Sequence, residues 1–437
     1  MKRQSSGGLY PPRFWPALII FSLTGQVAWV VENMYFNVFI YKMFHATAGE
    51  ISLMVAASAV AATLTTIFVG AFSDMVGRRK VFICAGYILW GISILSFALI
   101  REDVIRAVFG TGVSVAAVGV TLVIVMDCVM TFFGSTANDA CFNAWLTDAT
   151  ARGGRGAAEG VNAMMPLIAI LVVFGGFMSF DLERQESWVT IFAVIGGAVL
   201  VIGLLGFFLL TETGERKAEN QSYWGNIFYG FRPSVVRENP ALYLTLAGFV
   251  IFNISIQIFM PYLILYYDVS LGMDNYVLVM APAILLAAVV TVFAGKYYDK
   301  AGFLRSVVPA LLALMVGYVV LTVFRATVPV FLGSLLMMSG YLSGMAVFGA
   351  MIREKIPEGK AGMFQGLRIF AQVLVPGVIG PAIGAAVLRD AAQIVNDDGT
   401  MSFVPNVKIF IAALVAAAAV LVFVAAARKA FTQEVSR

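Results

Sequence analysis

The residues of this sequence that could do chemistry lie where a bilayer would resist them. Glu32, Asp127 and Asp139 fall inside long apolar stretches, and so does one guanidinium, Arg368. A charge near the centre of a membrane costs at least about 2.5 to 3.5 kcal/mol on insertion scales. Three acids stand against one base, which leaves more carboxyls than cations to neutralise them. A buried carboxyl in that position can load and release a proton near neutral pH.

Spacing sorts the polar groups into faces. Ser22, Gln26, Trp29, Asn33 and Asn37 recur at helical intervals and form one stripe, with Glu32 about 100° round from Asn33. Amides donate and accept at once, and an indole offers an apolar plane, so the stripe suits a polyhydroxylated ligand. The alternative is that the amides only lock this helix to its neighbours. Asp127 and Asn138 share a face of a second helix, while Asp139 and Asn143 share an adjacent one. Asn253 and Gln257 stand one turn apart, followed by Pro261 and Tyr262. Gln365, Arg368 and Gln372 align on one face, where Arg368 could clamp a substrate oxygen or neutralise an acid. Asp148 lies beside a basic loop and is expected to form an interfacial salt bridge.

The elements that must position these groups follow from composition. The 437 residues are 60% hydrophobic and 12% charged, against roughly 25% charged in an average soluble domain. Twelve apolar spans are expected, at 14–41, 50–72, 81–100, 120–147, 161–180, 188–210, 241–266, 276–294, 306–324, 329–352, 362–388 and 406–427, numbered 1 to 12 below. The first is read as retained, since no cleavage-site pattern follows the basic start. Of the 29 Lys and Arg, 21 then fall on the side of both termini, seven on the other and one within a span. The positive-inside rule puts both termini in the cytoplasm, here of a bacterial inner membrane. Residues 101–119 are apolar enough to suggest a thirteenth span, but one would reverse every later basic loop. They are read as an extracellular interfacial or re-entrant piece joined to span 4.

The two halves repeat. GAFSDMVG at 70–77 matches GKYYDKAG at 295–302, and FNAWLTDATARGGRGAAEG at 142–160 matches FGAMIREKIPEGKAGMFQG at 348–366. The surplus of the first half falls between spans 2 and 4, which again marks 101–119 as an insertion. The domain reading is therefore a six-helix bundle at 1–210, a cytoplasmic linker at 211–240 and a second bundle at 241–437. Two such halves in one topology are a transporter architecture, with the substrate site expected between them near the midplane.

GAFSDMVGRRK, Gly70 to Lys80, resembles the loop signature between helices 2 and 3 of the major facilitator superfamily, and the stretch ending in Asp299 is its weaker echo. The resemblance implies an all-α membrane fold of twelve helices in two pseudo-symmetric bundles. It assigns Gly70, Asp74, Gly77, Arg78, Arg79 and Asp299 to packing and gating. Within the superfamily, VENMYFN, NDACFNAWLTD at 138–148 and RGAAEG at 155–160 look like the glycoside-pentoside-hexuronide cation symporters. Sodium-linked members carry carboxylates inside helix 2, whereas span 2 holds only Glu50, at its outer end, which favours protons over sodium. The implied function is proton-coupled import of a sugar or glycoside by alternating access. Substrate contacts would come from Gln26, Trp29, Asn33, Asn37, Asn138, Asn143, Asn253, Gln257, Tyr262, Arg368 and Gln372, and coupling from Glu32, Asp127 and Asp139.

The rival inside the fold is a proton-coupled exporter of drugs or other small molecules. PGVIGPAIG at 376–384 resembles the glycine-proline motif of drug antiporters, although it stands on span 11 rather than on span 5, and a packing and hinge role is expected for it. An enzyme is disfavoured: His45 is the sole histidine, and neither metal-ligand spacing, a phosphate loop nor a nucleophile elbow is present. Cys84, Cys128 and Cys141 show no disulfide or zinc pattern. No cofactor, metal or nucleic-acid partner is expected, and the protein is read as a monomer in the lipid bilayer.

Overall fold

Inside hydrocarbon every backbone N–H and C=O must find its partner within the chain, which leaves the helix as the only solution for a single apolar segment. The computed structural model is accordingly helical along nearly all of its length. It describes residues 10, 13–150, 155–212, 228–356, 361–396 and 399–428. Among the described residues, eleven helices are long and apolar enough to cross a membrane: Phe14–Phe44, Ala48–Ser73, Arg79–Leu99, Val115–Ala149, Ala157–Phe177, Gln185–Leu209, Pro240–Ser270, Val277–Val323, Thr327–Lys355, Gly366–Val387 and Lys408–Ala426. The 47-residue member is two helices joined at Gly302, whose φ of 74° and ψ of −179° are non-helical. It therefore supplies spans 8 and 9, and the twelve expected spans are all present.

The repeat is visible in the backbone. Gly77 and Gly302, paired by sequence, have φ of 69° and 74°. Both sit at the turn between consecutive spans, in a region that L side chains avoid. Residues 101–119 comprise a short helix and the head of span 4. Glu102–Phe109 is a separate eight-residue helix, and Gly110 turns the chain with φ 88°. Span 4 then starts at Val115, where the Ser114 hydroxyl accepts the Ala117 N–H at 3.3 Å. In the second half only residues 324–326 separate the corresponding helices. The extra helix is thus an addition to the first half alone, at the end away from the Gly77 turn.

The chain divides into two compact units, Met1–Phe44 with Ala61–Tyr223, and His45–Val60 with Trp224–Arg437. The division made from the sequence at 211–240 differs from this at residues 45–60, the first half of span 2. Half of that linker, 213–227, lies outside the described residues. Glu50 closes the N-terminus of span 2: its Oε2 accepts from the Thr47 N–H at 2.7 Å and hydroxyl at 2.9 Å, while its own N–H donates to Thr47 Oγ1 at 3.2 Å. This reciprocal cap gives Glu50 a structural task.

Within the first unit, spans 3 and 6 meet through glycine, since a Cβ on Gly91 would stand 2.5 Å from the Leu200 nitrogen. Spans 9 and 10 do the same in the second, where a Cβ on Gly340 would lie 2.4 Å from the Leu314 nitrogen. Small residues at crossings let helix backbones approach, and packing replaces the hydrophobic drive that lipid removes. Span 11 settles on span 7 in the same manner through PGVIGPAIG. Cβ atoms on Gly380 and Gly384 would come within 2.4 Å of Gln257 and of the Ile258 carbonyl. A short antiparallel hairpin, Gln393–Val395 with Met401–Phe403, joins spans 11 and 12.

Candidate functional site

The polar residues coincide with widened turns. Spans 1, 4, 7 and 11 each contain a π-helical segment, at Val31–Tyr35, Ser135–Phe142, Tyr266–Ser270 and Phe370–Leu374. Each inserts a residue into the hydrogen-bond ladder and re-aims carbonyls and side chains, a distortion common at functional sites. Glu32, Asn33, Asn138, Asp139 and Gln372 lie within these segments.

In the first unit two polar layers result. Glu32 turns into the protein, 7% exposed, and its Oε1 accepts from the Thr131 hydroxyl of span 4 at 2.8 Å. Asp127, 2% exposed, is one turn before Thr131 on the same span, and Cys128 lies within electrostatic reach of both carboxyls. The second layer is centred on Asp139, about 18 Å further along span 4 at 1.5 Å per residue. Its Oδ2 accepts from Ser135 at 3.0 Å. The Trp29 indole N–H is aimed at the same carboxyl without closing a hydrogen bond of ordinary geometry.

Aromatic rings wall this second layer. Trp29 and Trp90 have centroids 5.0 Å apart, and Tyr87 lies 5.5 Å from Trp90 and donates its hydroxyl to the Phe21 carbonyl at 2.8 Å. Asn138 is 3% exposed, its Nδ2 buried without an acceptor among the described residues. That amide occupies the hollow left by Gly25, where a Cβ would come within 1.9 Å of Nδ2 and 2.7 Å of the Tyr87 hydroxyl.

Several expected ligand contacts are used by the fold. Asn33 donates to the Trp29 carbonyl at 2.7 Å, Asn37 to that of Asn33 at 3.0 Å and Asn143 to that of Asp139 at 3.1 Å. Widened turns displace carbonyls from the regular ladder, and an amide four residues on can satisfy them. Trp29 has Trp90 against it, which reduces the plane it can offer. In the second unit Asn253 donates to Phe249 at 2.8 Å, and Gln257 packs beside Gly380. Tyr262 is fully buried, and its hydroxyl reaches the carbonyls of Ala48 at 2.9 Å and Pro381 at 3.4 Å. Gln26, Arg368 and Gln372 are half-buried, and the Gln365 side chain lies outside the described residues. Sequence reasoning missed Thr131, Ser135, Tyr87 and Trp90. The four-residue step from Asp127 to Thr131 could have found the first.

At the opposite turn, Arg79 is 5% exposed and its Nε meets Asp148 Oδ2 at 2.8 Å, the expected ion pair. Gly70 packs near the Ala140 side chain, Arg78 and Asp299 are exposed, and the Asp74 side chain lies outside the described residues. The second half has no arginine in the place of Arg79. There the Tyr298 hydroxyl donates to Glu354, the counterpart of Asp148, at 2.8 Å.

Comparison with known proteins places this arrangement. The family profile described as Major Facilitator Superfamily matches residues 14–381. Among curated proteins no sequence matches. Among solved structures the fold is similar to a bacterial homolog of the human lysosomal transporter Spinster in an inward-facing, occupied conformation, with a TM-score of 0.70 at 15% identity over 97% of this chain and 98% of that one. It is also similar to the nucleoside transporter NupG, with a TM-score of 0.67 at 10% identity over 95% and 98%. The xylose transporter XylE from E. coli, partially occluded and inward open, gives 0.65 at 13% identity over 93% and 98%. With twelve apolar spans, a repeated glycine turn and a family match over most of its length, the chain is a multi-pass membrane transporter rather than an enzyme, and it belongs to the Major Facilitator Superfamily.

Proposed function

We propose that the protein is a proton-coupled symporter that imports a sugar or glycoside by alternating access, with both termini in the cytoplasm of a bacterial inner membrane. The observation that carries the reading is the Glu32 layer. Glu32 and Asp127 are buried on facing spans, both within electrostatic reach of Cys128, and Thr131, one helical turn after Asp127, donates its hydroxyl to Glu32. Negative charges so placed repel, and a proton taken up by the pair relieves the repulsion. Coupling to a solute needs a group of that kind, able to change its charge inside the membrane.

The Asp139 layer is the substrate end of the same reading. Half-buried Trp29 offers aromatic surface with the fully buried Trp90 and Tyr87 packed behind it, and Asn138 and Asp139 offer a donor and an acceptor for hydroxyl groups. Similarity of fold to a xylose transporter and to a D-xylose-proton symporter fits a sugar. The protein acts as a monomer, without a cofactor, and uses H⁺ rather than Na⁺, since the one acid at the head of span 2, Glu50, is held in a helix cap.

Solute flux in proteoliposomes under an imposed pH gradient tests the proposal, with a panel of mono- and oligosaccharides beside a cationic dye. Saturable sugar uptake driven by an inward proton gradient is expected. Dye extrusion without sugar flux would replace the symporter with an exporter of the same fold.

A further inference from the structure

The helix added to the first half makes a cavity of about 540 Å³ at the end of that unit away from the Gly77 turn. Two cations and two anions, Arg101, Arg106, Glu102 and Asp103, line it together with Gln185. Its remaining wall is apolar, formed by Met43, Phe44 and Val115. A Cβ on Gly119 would stand 2.1 Å from the Phe44 ring, so the absence of a side chain there lets that ring close on span 4. The Gln185 Nε2 is buried and has no acceptor among the described residues.

The charges are interleaved. Arg101 meets Asp103 at 2.9 Å and Arg106 meets Glu102 at 2.7 Å, each through Nε, and both guanidinium side chains remain 41% exposed. A purely anionic ligand would be repelled by the two carboxylates as much as the arginines attract it. A zwitterion satisfies both signs, with phosphate on the guanidinium forks and Gln185 and ammonium on the acids. The short helix is amphipathic: Ile105 is buried beneath it, while Val108 is 69% and Phe109 49% exposed, with Leu99 60% exposed just before it. Apolar side chains so presented on a helix with charged residues fit the boundary between headgroups and acyl chains.

We propose that this cavity binds the phosphoethanolamine headgroup of a membrane phospholipid, its acyl chains leaving along the Met43, Phe44 and Val115 wall. The site belongs to the inserted helix, and the second half has no counterpart. It is independent of the substrate assignment above.

The test is retention of lipid by the purified full chain exchanged into nanodiscs of phosphatidylethanolamine, phosphatidylcholine and phosphatidylglycerol at equal mole fraction, read by native mass spectrometry. The expected result is preferential retention of phosphatidylethanolamine, reduced about a hundredfold in the Arg101→Ala, Arg106→Ala double variant, the effect of losing two charge-assisted hydrogen bonds at about tenfold each. The Glu102→Gln, Asp103→Asn double variant should exchange that preference for phosphatidylglycerol, a gain that misfolding cannot produce. Equal retention of all three lipids, or a phosphatidylglycerol preference in the unmodified protein, would overturn the proposal. So would displacement of the lipid by free phosphoethanolamine at equal concentration, which would assign the cavity to a soluble zwitterion.

Discussion

Replacing Glu32 by Gln separates charge from hydrogen bonding at the layer proposed for coupling. A glutamine carbonyl can occupy the place of Glu32 Oε1, 2.8 Å from Thr131 Oγ1, so the bond between spans 1 and 4 survives as a neutral one. Hydrogen bonds to charged groups contribute about 1.5 to 3 kcal/mol and neutral ones about 0.5 to 1.5, so the weaker bond costs roughly 1 kcal/mol, which relief of the repulsion with Asp127 offsets. The transport consequence is larger. One proton moved per solute across a gradient of one pH unit supplies about 1.4 kcal/mol, which is about tenfold accumulation. Glu32→Gln is expected to reduce that ratio to unity while equilibrium exchange of labelled solute continues. Thr131→Val, which removes the donor and keeps the carboxyl, should retain accumulation at a lower rate. Parallel measurements of uphill uptake and exchange in proteoliposomes decide the matter. Undiminished accumulation by Glu32→Gln would refute the coupling assignment.

Gly25→Ala should destabilise the first unit by about 1 to 3 kcal/mol, because its Cβ would collide with Asn138 and Tyr87, and thermal unfolding in detergent reads the loss. Gly77→Ala meets no atom within 4 Å and should lose only the roughly 1 to 2 kcal/mol of a left-handed residue, by the same measurement. A double-mutant cycle of Arg79→Gln with Asp148→Asn should give a coupling of about 1 to 3 kcal/mol in unfolding free energy, and a value near zero would remove the pair from the turn's stability. Tyr262→Phe should cost about 0.5 to 1.5 kcal/mol for its carbonyl contacts and leave the solute KM unchanged, and a raised KM would return Tyr262 to the substrate site.

The spans were legible because lipid imposes one rule on every segment, and the basic loops between them carry a second signal. The merged helix from Val277 to Val323 shows what the rule omits. Only Gly302, paired with Gly77 by the repeat, marks where the chain must turn. Amide roles were less legible for a physical reason. An asparagine on a helix can turn outward to a ligand or donate to the carbonyl one turn before it, and sequence spacing is the same in both cases. Asn33, Asn37, Asn143 and Asn253 each donate to the carbonyl one turn back, while Asn33 and Asn143 remain exposed as well, and three of the four stand in or near π-helical segments that leave no periodic trace in the sequence. Acids are easier to place, since a buried carboxyl must find donors. Thr131 and Ser135 supply them one helical turn apart on span 4.

The two halves share a backbone more closely than they share chemistry. Gly77 and Gly302 keep the same left-handed turn, yet the arginine that ties Asp148 in the first half is replaced by a tyrosine hydroxyl on Glu354 in the second. An ion pair with one member 5% exposed and a phenol-carboxylate hydrogen bond respond differently to solvent: separating the first exposes two charges to be rehydrated, separating the second only one. The acids set within apolar spans are divided unevenly as well: buried Glu32 and Asp127 and half-buried Asp139 lie in the first unit, whereas half-buried Asp268 and Arg368 lie in the second. On the symporter reading proposed above, such a duplicated scaffold would put proton chemistry on spans 1 and 4, while spans 7 and 11 contribute the amides Asn253 and Gln257 and close glycine packing.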